Sequence, residues 1–328
     1  MKIFKNLFKT ILILALSFTA FTSCDDDDEY SSAPVPETNT IVDFVSSNAD
    51  YSILLEALLL ADGDLPSVLA GEGPFTVFAP NNAAFTAFLS ANNFTSLGDI
   101  PTDILTQVLL NHVVSGNAVS SSLTTGYEVS SLSTATPTGN NMSLYINTDD
   151  GVVINGIATV TTADVSVDNG TIHAVDTVIG LPTVVTFAVA DPNFSILATA
   201  LTRSDLTFDF DGILSTANGT APAPFTVFAP INSAFVALLA QLDVASLEDI
   251  DGPALTETLE MHTVAGTNVL ASSLTDNMTI ETVGGNITAN VTDGPTLTDA
   301  NDRVSSIVAT DVQASNGVIH AIDRVLLK

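Results

Sequence analysis

Chemistry in this chain of 328 residues would have to come from four histidines and 37 carboxylates. His173 stands three residues before Asp176, and His320 three before Asp323, a spacing that invites a His–Asp dyad. Residues three apart on an extended strand face opposite sides of the sheet, so the members of each pair should diverge. Metal binding lacks support as well. No two histidines have the i, i+4 spacing of a helical ligand pair, and none has a cysteine partner. His112 and His262 each close an apolar helical stripe, where a ring can pack and bond the last carbonyls, so a structural role is expected for both. Gly-x-Ser-x-Gly, Walker, His-Glu-x-x-His and Cys-x-x-Cys patterns are missing from the sequence. With no tryptophan and four tyrosines, stacking surfaces for sugars are scarce. The expectation is a protein that is not an enzyme and carries no cofactor.

Two oxygen-rich turns, Asn147-Thr148-Asp149-Asp150-Gly151 and Thr292-Asp293-Gly294 with Asp299, Asn301 and Asp302 nearby, raise weak calcium binding. Neither has the twelve-residue loop closed by a glutamate. Asp-Gly is also the commonest hairpin turn, and turn chemistry is the expected reading.

The elements that position these residues occur twice. Pro74-Phe75-Thr76-Val77-Phe78-Ala79-Pro80 returns letter for letter as Pro224-Phe225-Thr226-Val227-Phe228-Ala229-Pro230. His112 and His262 lie the same 150 positions apart as Phe75 and Phe225, and Asn169-Gly170-Thr171-Ile172-His173-Ala174-Val175-Asp176 recurs as Asn316 to Asp323 at an offset of 147. Length changes between fixed landmarks are what diverging duplicates accumulate in loops. A unit of about 145 residues can hold its own core, unlike the roughly 20 to 50 residues of a solenoid repeat.

Each copy reads helices first and strands last. Ile41–Val45 and Tyr51–Leu60 have helical apolar spacing, with Ile53, Leu54, Ala57 and Leu58 on one stripe. Phe75–Phe78 is a short buried strand ended by Pro80, after which Asn81 or Asn82 caps a helix carrying Phe85, Phe88 and Leu89. A helix after Pro101 aligns Leu105, Leu109 and His112, as one after Pro253 aligns Leu255, Leu259 and His262. Period-two segments follow at Val152–Ile154, Ala158–Val160 and Thr171–Ile179. The pattern predicts an α+β fold on an antiparallel sheet. The short join near Gly180-Leu181-Pro182 predicts two domains in a fixed or hinged relation.

Ahead of the first copy, Lys2, Lys5 and Lys9, the apolar run Ile11–Phe21 and the small residues before Cys24 read as a signal peptide. The apolar run is too short for a comfortable membrane span. Cys24, the only cysteine, resembles the lipobox cysteine of bacterial lipoproteins, although Phe21 stands where leucine is usual. The resemblance implies acylation and a membrane partner through an N-terminal lipid. The acidic run Asp25–Glu29 resembles the tract that sends Bacteroidetes-like lipoproteins to the outer surface, which implies a surface-exposed outer-membrane protein. The organisation expected is therefore signal peptide 1–24, acidic Ser/Pro linker 25–38, and domains 39–181 and 182–328. Once the leader is removed, Arg203, Arg303, Arg324 and Lys328 face 37 carboxylates, a formal charge of −33. Such a chain has no basic cluster with which to neutralise phosphates, which excludes nucleic acid as a partner.

The Phe-Thr-Val-Phe-Ala-Pro run (Phe75, Thr76, Phe78, Pro80; Phe225, Thr226, Phe228, Pro230), the mid-domain histidine and the closing Asn-Gly-x-Ile-His-x-(Ile/Val)-Asp together resemble the fasciclin domain, twice. The resemblance implies a β-sandwich or wedge of about seven strands with helices packed on it. It also implies adhesion to extracellular or cell-surface proteins or glycans. In animal adhesion proteins of this family an Asp-Ile pair and a following Tyr-His pair are associated with integrin contact. Here Asp103-Ile104 matches the first pair, whereas the second copy reads Gly252-Pro253-Ala254-Leu255, and Asn111 and Met261 replace tyrosine beside His112 and His262. Asp103, Ile104, His112 and His262 are the candidate contacts that the resemblance implies. A different expectation is a lipoprotein that captures a glycan or small ligand for an outer-membrane uptake system, which needs a concave pocket, foremost between the domains.

Overall fold

The computed structural model describes residues 39–328, so the segments expected to be a signal peptide and an acidic linker, with Cys24, lie outside the described residues. The first copy runs α1 (Ile41–Ser47), α2 (Ser52–Leu60), α3 (Leu65–Leu69), β1 (Phe75–Pro80), α4 (Asn82–Ala91), α5 (Thr102–Leu110), β2 (Val113–Ser115), β3 (Gly126–Ser130), β4 (Ser143–Asn147), β5 (Val153–Ile154), β6 (Ala158–Val167) and β7 (Gly170–Val175). The second repeats it in α6 (Val184–Ala190), α7 (Ser195–Leu201), α8 (Phe210–Leu214), β8 (Phe225–Pro230), α9 (Asn232–Leu242), α10 (Gly252–Glu260), β9 (Thr263–Ala265), β10 (Met278–Glu281), β11 (Asn286–Asn290), β12 (Thr296–Thr298), β13 (Val304–Ala314) and β14 (Gly317–Ile322). Each copy is α+β.

Short polar side chains start the helices. Thr40 and Asp43 form a capping box on α1, and Thr183 and Thr186 form one on α6. Asn81 caps α4 by accepting from Ala84 N–H at 2.9 Å. Asn82 does different work, accepting from Ile53 N–H and donating to Ala49 C=O, which ties α4 to the start of α2. Asn232 repeats this bracket on Ile196 and Pro192.

Each copy has one seven-stranded sheet, in the order β2-β1-β7-β6-β5-β4-β3 and, equivalently, β9-β8-β14-β13-β12-β11-β10. The expected antiparallel sheet needs correcting at its centre, where β1 and β7 run parallel, with Phe75 opposite Gly170 and Pro80 opposite Val175. The pair β8 and β14 does the same. Both strands are covered on both faces, the usual setting of parallel pairing. Val77 and Ala79 of β1, with Ile172 and Ala174 of β7, pack under the helices beside Leu54, Phe85 and Leu105. Phe78 and Val175 point the other way and meet Leu144, Ile146, Ile154 and Ala158 from the far half of the sheet. The long strand β6 joins the two halves through register shifts, so the sheet closes over that second core as a wedge.

The parallel pair also explains the glycine of the closing motif. A Cβ on Gly170 would lie 1.9 Å from Phe75 C=O, and one on Gly317 would lie 2.3 Å from Phe225 C=O. Only a residue without a side chain lets the strands meet there.

Candidate functional site

The four histidines come to rest inside the domains. His112 follows α5, and its Nδ1 lies 2.7 Å from Val108 C=O while Nε2 lies 2.8 Å from Ile179 N–H. A backbone N–H can only donate, so Nε2 accepts and Nδ1 carries the proton. His262 repeats the arrangement between Thr258 C=O and Leu326 N–H. Both rings are 2% exposed, and burial pushes their pKa down to about 4, so they are neutral at physiological pH. A buried ring with both nitrogens committed has nothing to offer a partner, which removes His112 and His262 from the candidate adhesion contacts. Asp103 and Ile104 do lie on the surface of α5, with Ile104 43% exposed.

His173 takes the opposite tautomer. Its Nδ1 accepts from Asp164 N–H at 3.2 Å, and Nε2 donates to Ala118 C=O at 2.9 Å. His320 does the same with Asp311 N–H and Val269 C=O, and burial lowers its pKa from the usual histidine range. Each ring stacks on the phenylalanine opposite it in the parallel pair, His173 on Phe78 at 5.5 Å and His320 on Phe228 at 5.6 Å. Thr76 Oγ1 donates to Gly116 C=O and accepts from Ala118 N–H, both at 2.8 Å. Thr226 treats Thr267 and Val269 alike. The two motifs, far apart in sequence, thus converge on the loop that follows β2 or β9 and hold it from both strands.

The aspartates of the closing motif are separate from the rings. Asp176 Oδ1 accepts from Thr159 N–H at 2.8 Å and Asp323 Oδ1 from Ser306 N–H at 2.7 Å, pinning the start of β6 or β13. Asn169 spends its amide on Leu69 C=O, Gly71 C=O and Ile41 N–H, and Asn316 on Leu214, Thr216 and Val184. Sequence reading saw these asparagines only as landmarks. Their signal was a polar residue repeated within an apolar strand motif, which must find partners when buried.

The oxygen-rich turns connect β4 to β5 and β11 to β12. Asp299 is engaged elsewhere: it pairs with Arg303 at 2.6 Å and accepts from Leu327 N–H at 3.0 Å. Burial opposes its ionisation, yet these donors hold its carboxyl below the usual carboxylate range. Among the described residues, no group of three or more His, Cys, Asp or Glu side chains is arranged to hold a metal ion.

One concave feature lies where the domains meet. Asn155, Gly156 and Ile157 from the first domain face Thr183, Val185 and Val189 from the second across a cleft of about 450 Å³. Asn155 Oδ1 accepts from Tyr145 N–H at 2.8 Å, which leaves its buried Nδ2 without a partner. Beside the cleft, Tyr127 packs edge-on against Phe187 at 5.4 Å and tilts against Tyr145 at 5.0 Å. Burial, followed by the neighbouring Asp191 carboxylate, pushes the Tyr127 phenol well above the usual tyrosine range. Gln313 N–H donates to Ser143 Oγ at 3.0 Å, a direct bond from the second domain to the first.

A sequence profile of the Fasciclin domain matches residues 49–182 and 192–328. Protein sll1483 of Synechocystis sp. is 38% identical over 149 residues, which is 45% of this chain and 77% of that protein. Periostin of Homo sapiens is 27% identical over 265 residues, 79% of this chain and 29% of periostin. Among solved structures, a FAS1 domain pair from the insect cell adhesion molecule Fasciclin I superposes with a TM-score of 0.52 at 19% identity, covering 86% of this chain and 98% of that one. With the profile matched in both halves and the same strand order in each, the chain belongs to the fasciclin domain family and carries two such domains in tandem.

Proposed function

We propose that this protein is a non-enzymatic, lipid-anchored adhesion protein of the cell surface that works through protein–protein or protein–glycan contacts. The observation that carries this reading is the pairing itself, two fasciclin domains matching a FAS1 pair from a cell adhesion molecule across 86% of the chain. The internal chemistry supports it. In both domains the histidines and the motif threonines, asparagines and aspartates hold backbone in place, a structural role that fits this reading. The anchor rests on Cys24 and the exposure on Asp25–Glu29. Two domains per chain, with many chains on one membrane, turn weak contacts into avid ones.

Protease shaving of intact cells tests the reading. The wild type is expected to be cleaved from outside. Cys24→Ala, and a variant with Asp25–Glu29 replaced by Ser/Ala, are expected to leave the surface, and cell attachment to protein- or glycan-coated supports should fall with them. A wild type protected in intact cells would overturn surface adhesion. The cleft at Asn155 favours a second reading, capture of a glycan or small ligand beside an uptake system. Isothermal titration with oligosaccharides that is abolished by Ile157→Arg would support that second reading.

A further inference from the structure

The two copies differ at one seam. In each sheet the terminal strands, β2 and β3 or β9 and β10, are the unpaired edges, and the wedge brings them near each other. In the first domain the seam is sewn: Leu132 N–H donates to Val113 C=O at 2.7 Å, and Val114 bridges Ser131. The β3–β4 connection is long there, residues 131–142, and Ser131 and Met142 continue its ladder into the seam. In the second domain the β10–β11 connection is only residues 282–285, turned by Thr282 N–H to Gly285 C=O. The contact equivalent to Leu132–Val113 survives as Val283 N–H to Thr263 C=O at 2.8 Å, but no bridge joins β9 to β10 beyond it. The edges splay into an open groove of about 390 Å³.

The groove is built like a slot for a strand. Val264, Val269, Met278 and Ile280, which line its floor, are part of the wedge core or packed against it. Backbone groups alternate sides along a strand, and Thr282 N–H faces β11, so the amides of Thr279 and Glu281 face the groove. By the same alternation Ala265 faces the groove one step beyond Thr263, whose C=O is already taken by Val283 N–H. The groups of Ala265, Thr279 and Glu281 are edge groups that a further strand would pair. The Glu281 carboxylate is exposed at the rim of a chain with a net charge of −30, so a cationic occupant is favoured.

We propose that the β9–β10 groove of the second domain binds an extended peptide segment of a partner protein by strand addition. The segment would alternate apolar residues, set on Val264, Val269, Met278 and Ile280, with basic residues on the solvent side near Glu281. The first domain, with its seam sewn, does not bind this way. The site is independent of where the chain is anchored and of whether it mediates adhesion.

Residue-resolved hydrogen exchange on the whole chain tests the proposal, with a blocked hexapeptide of alternating lysine and valine as probe. At saturation the amides of Ala265, Thr279 and Glu281 should slow about tenfold or more, while those around Ser115 and Ser130 do not change. The same peptide N-methylated on alternate residues should give no protection. Glu281→Lys, an exposed change that spares the core, should weaken binding about three- to fivefold. Equal protection by the N-methylated peptide, equal protection of the first domain, or no protection at all would overturn strand addition. So would slow exchange at Thr279 and Glu281 in the free chain together with concentration-dependent dimers, since a second copy would then already occupy the edge.

Discussion

A buried neutral histidine makes stability depend on pH, and the sign follows from the bonds. Protonating His112 or His262 at Nε2 would destroy an accepted backbone bond and place a charge inside the domain, which is why both pKa values sit near 4. An unfolded histidine titrates near 6.5. Above about pH 6.5 both states are neutral and the rings cost nothing. Between about 6.5 and 4 the unfolded chain binds protons that the folded one refuses, so stability falls as pH falls. From pH 7.5 to 5 each ring should cost about 2 kcal/mol, one in each domain. Urea unfolding at the two pH values measures the loss. His112→Asn and His262→Asn should each lower stability at pH 7.5 and flatten its pH dependence. An unchanged slope in both would show that other groups set it. Asp103→Ala and Ile104→Ala, by contrast, remove exposed side chains and should move stability by less than about 0.5 kcal/mol, which makes them clean probes of adhesion.

At the scale of elements, the parallel strand pair is the feature on which each domain turns. Gly170→Ala would drive a Cβ to 1.9 Å from Phe75 C=O, so the strands must part. The expected cost is about 3 kcal/mol or more, read as a large drop in melting temperature. Gly151→Ala, in an open hairpin turn with a positive φ of 84°, should cost only about 1 kcal/mol because strain alone opposes it. Asn169→Ala would leave Ile41 N–H and two carbonyls without their partner and should cost about 2 kcal/mol. Much of this architecture was legible in the sequence. The stripes on α2, α4 and α5 predict those helices, and the repeated motifs mark β1 and β7 as the fixed core. Strand partners were not legible, because alternation along a chain says which face is covered and nothing about direction. The one hint of the parallel pair was that Phe75–Pro80 carries a single polar residue, Thr76, and so lacks the alternation of a half-exposed strand. The split of the histidines into two tautomers was also invisible, since it depends on backbone groups delivered from Ile179, Leu326, Asp164 and Asp311. The open seam is a matter of eight residues lost from a hairpin connection whose strands were not predicted at all.

Across the whole molecule, the short join at Gly180-Leu181-Pro182 leaves little slack, and the structure uses none. Residues 39–328 fall within one compact unit. Ser315 N–H and Oγ both donate to Pro182 C=O at 2.8 Å, so the join itself is fastened to the second domain. Tyr127 and Tyr145 of the first domain lie in the same apolar cluster as Phe187, Ala188 and Phe194 of the second. Two domains sharing a core should unfold together, whereas domains that merely touch unfold apart. Calorimetry of the wild type is therefore expected to give a single transition. Tyr127→Ala removes the ring that meets Phe187 while leaving the motif residues of both domains in place. It should split that transition into two, with the second domain melting first because its cluster loses a wall. Gln313→Ala should not have this effect, because the bond to Ser143 uses the Gln313 backbone N–H, which alanine retains. If Tyr127→Ala still melts as one unit, the coupling lies in the fastened join, and Ser315→Ala becomes the variant that should weaken it. If the wild type already melts in two steps, the aromatic contact is too weak to make one body of two domains, and the cleft at Asn155 would open and close with their hinge.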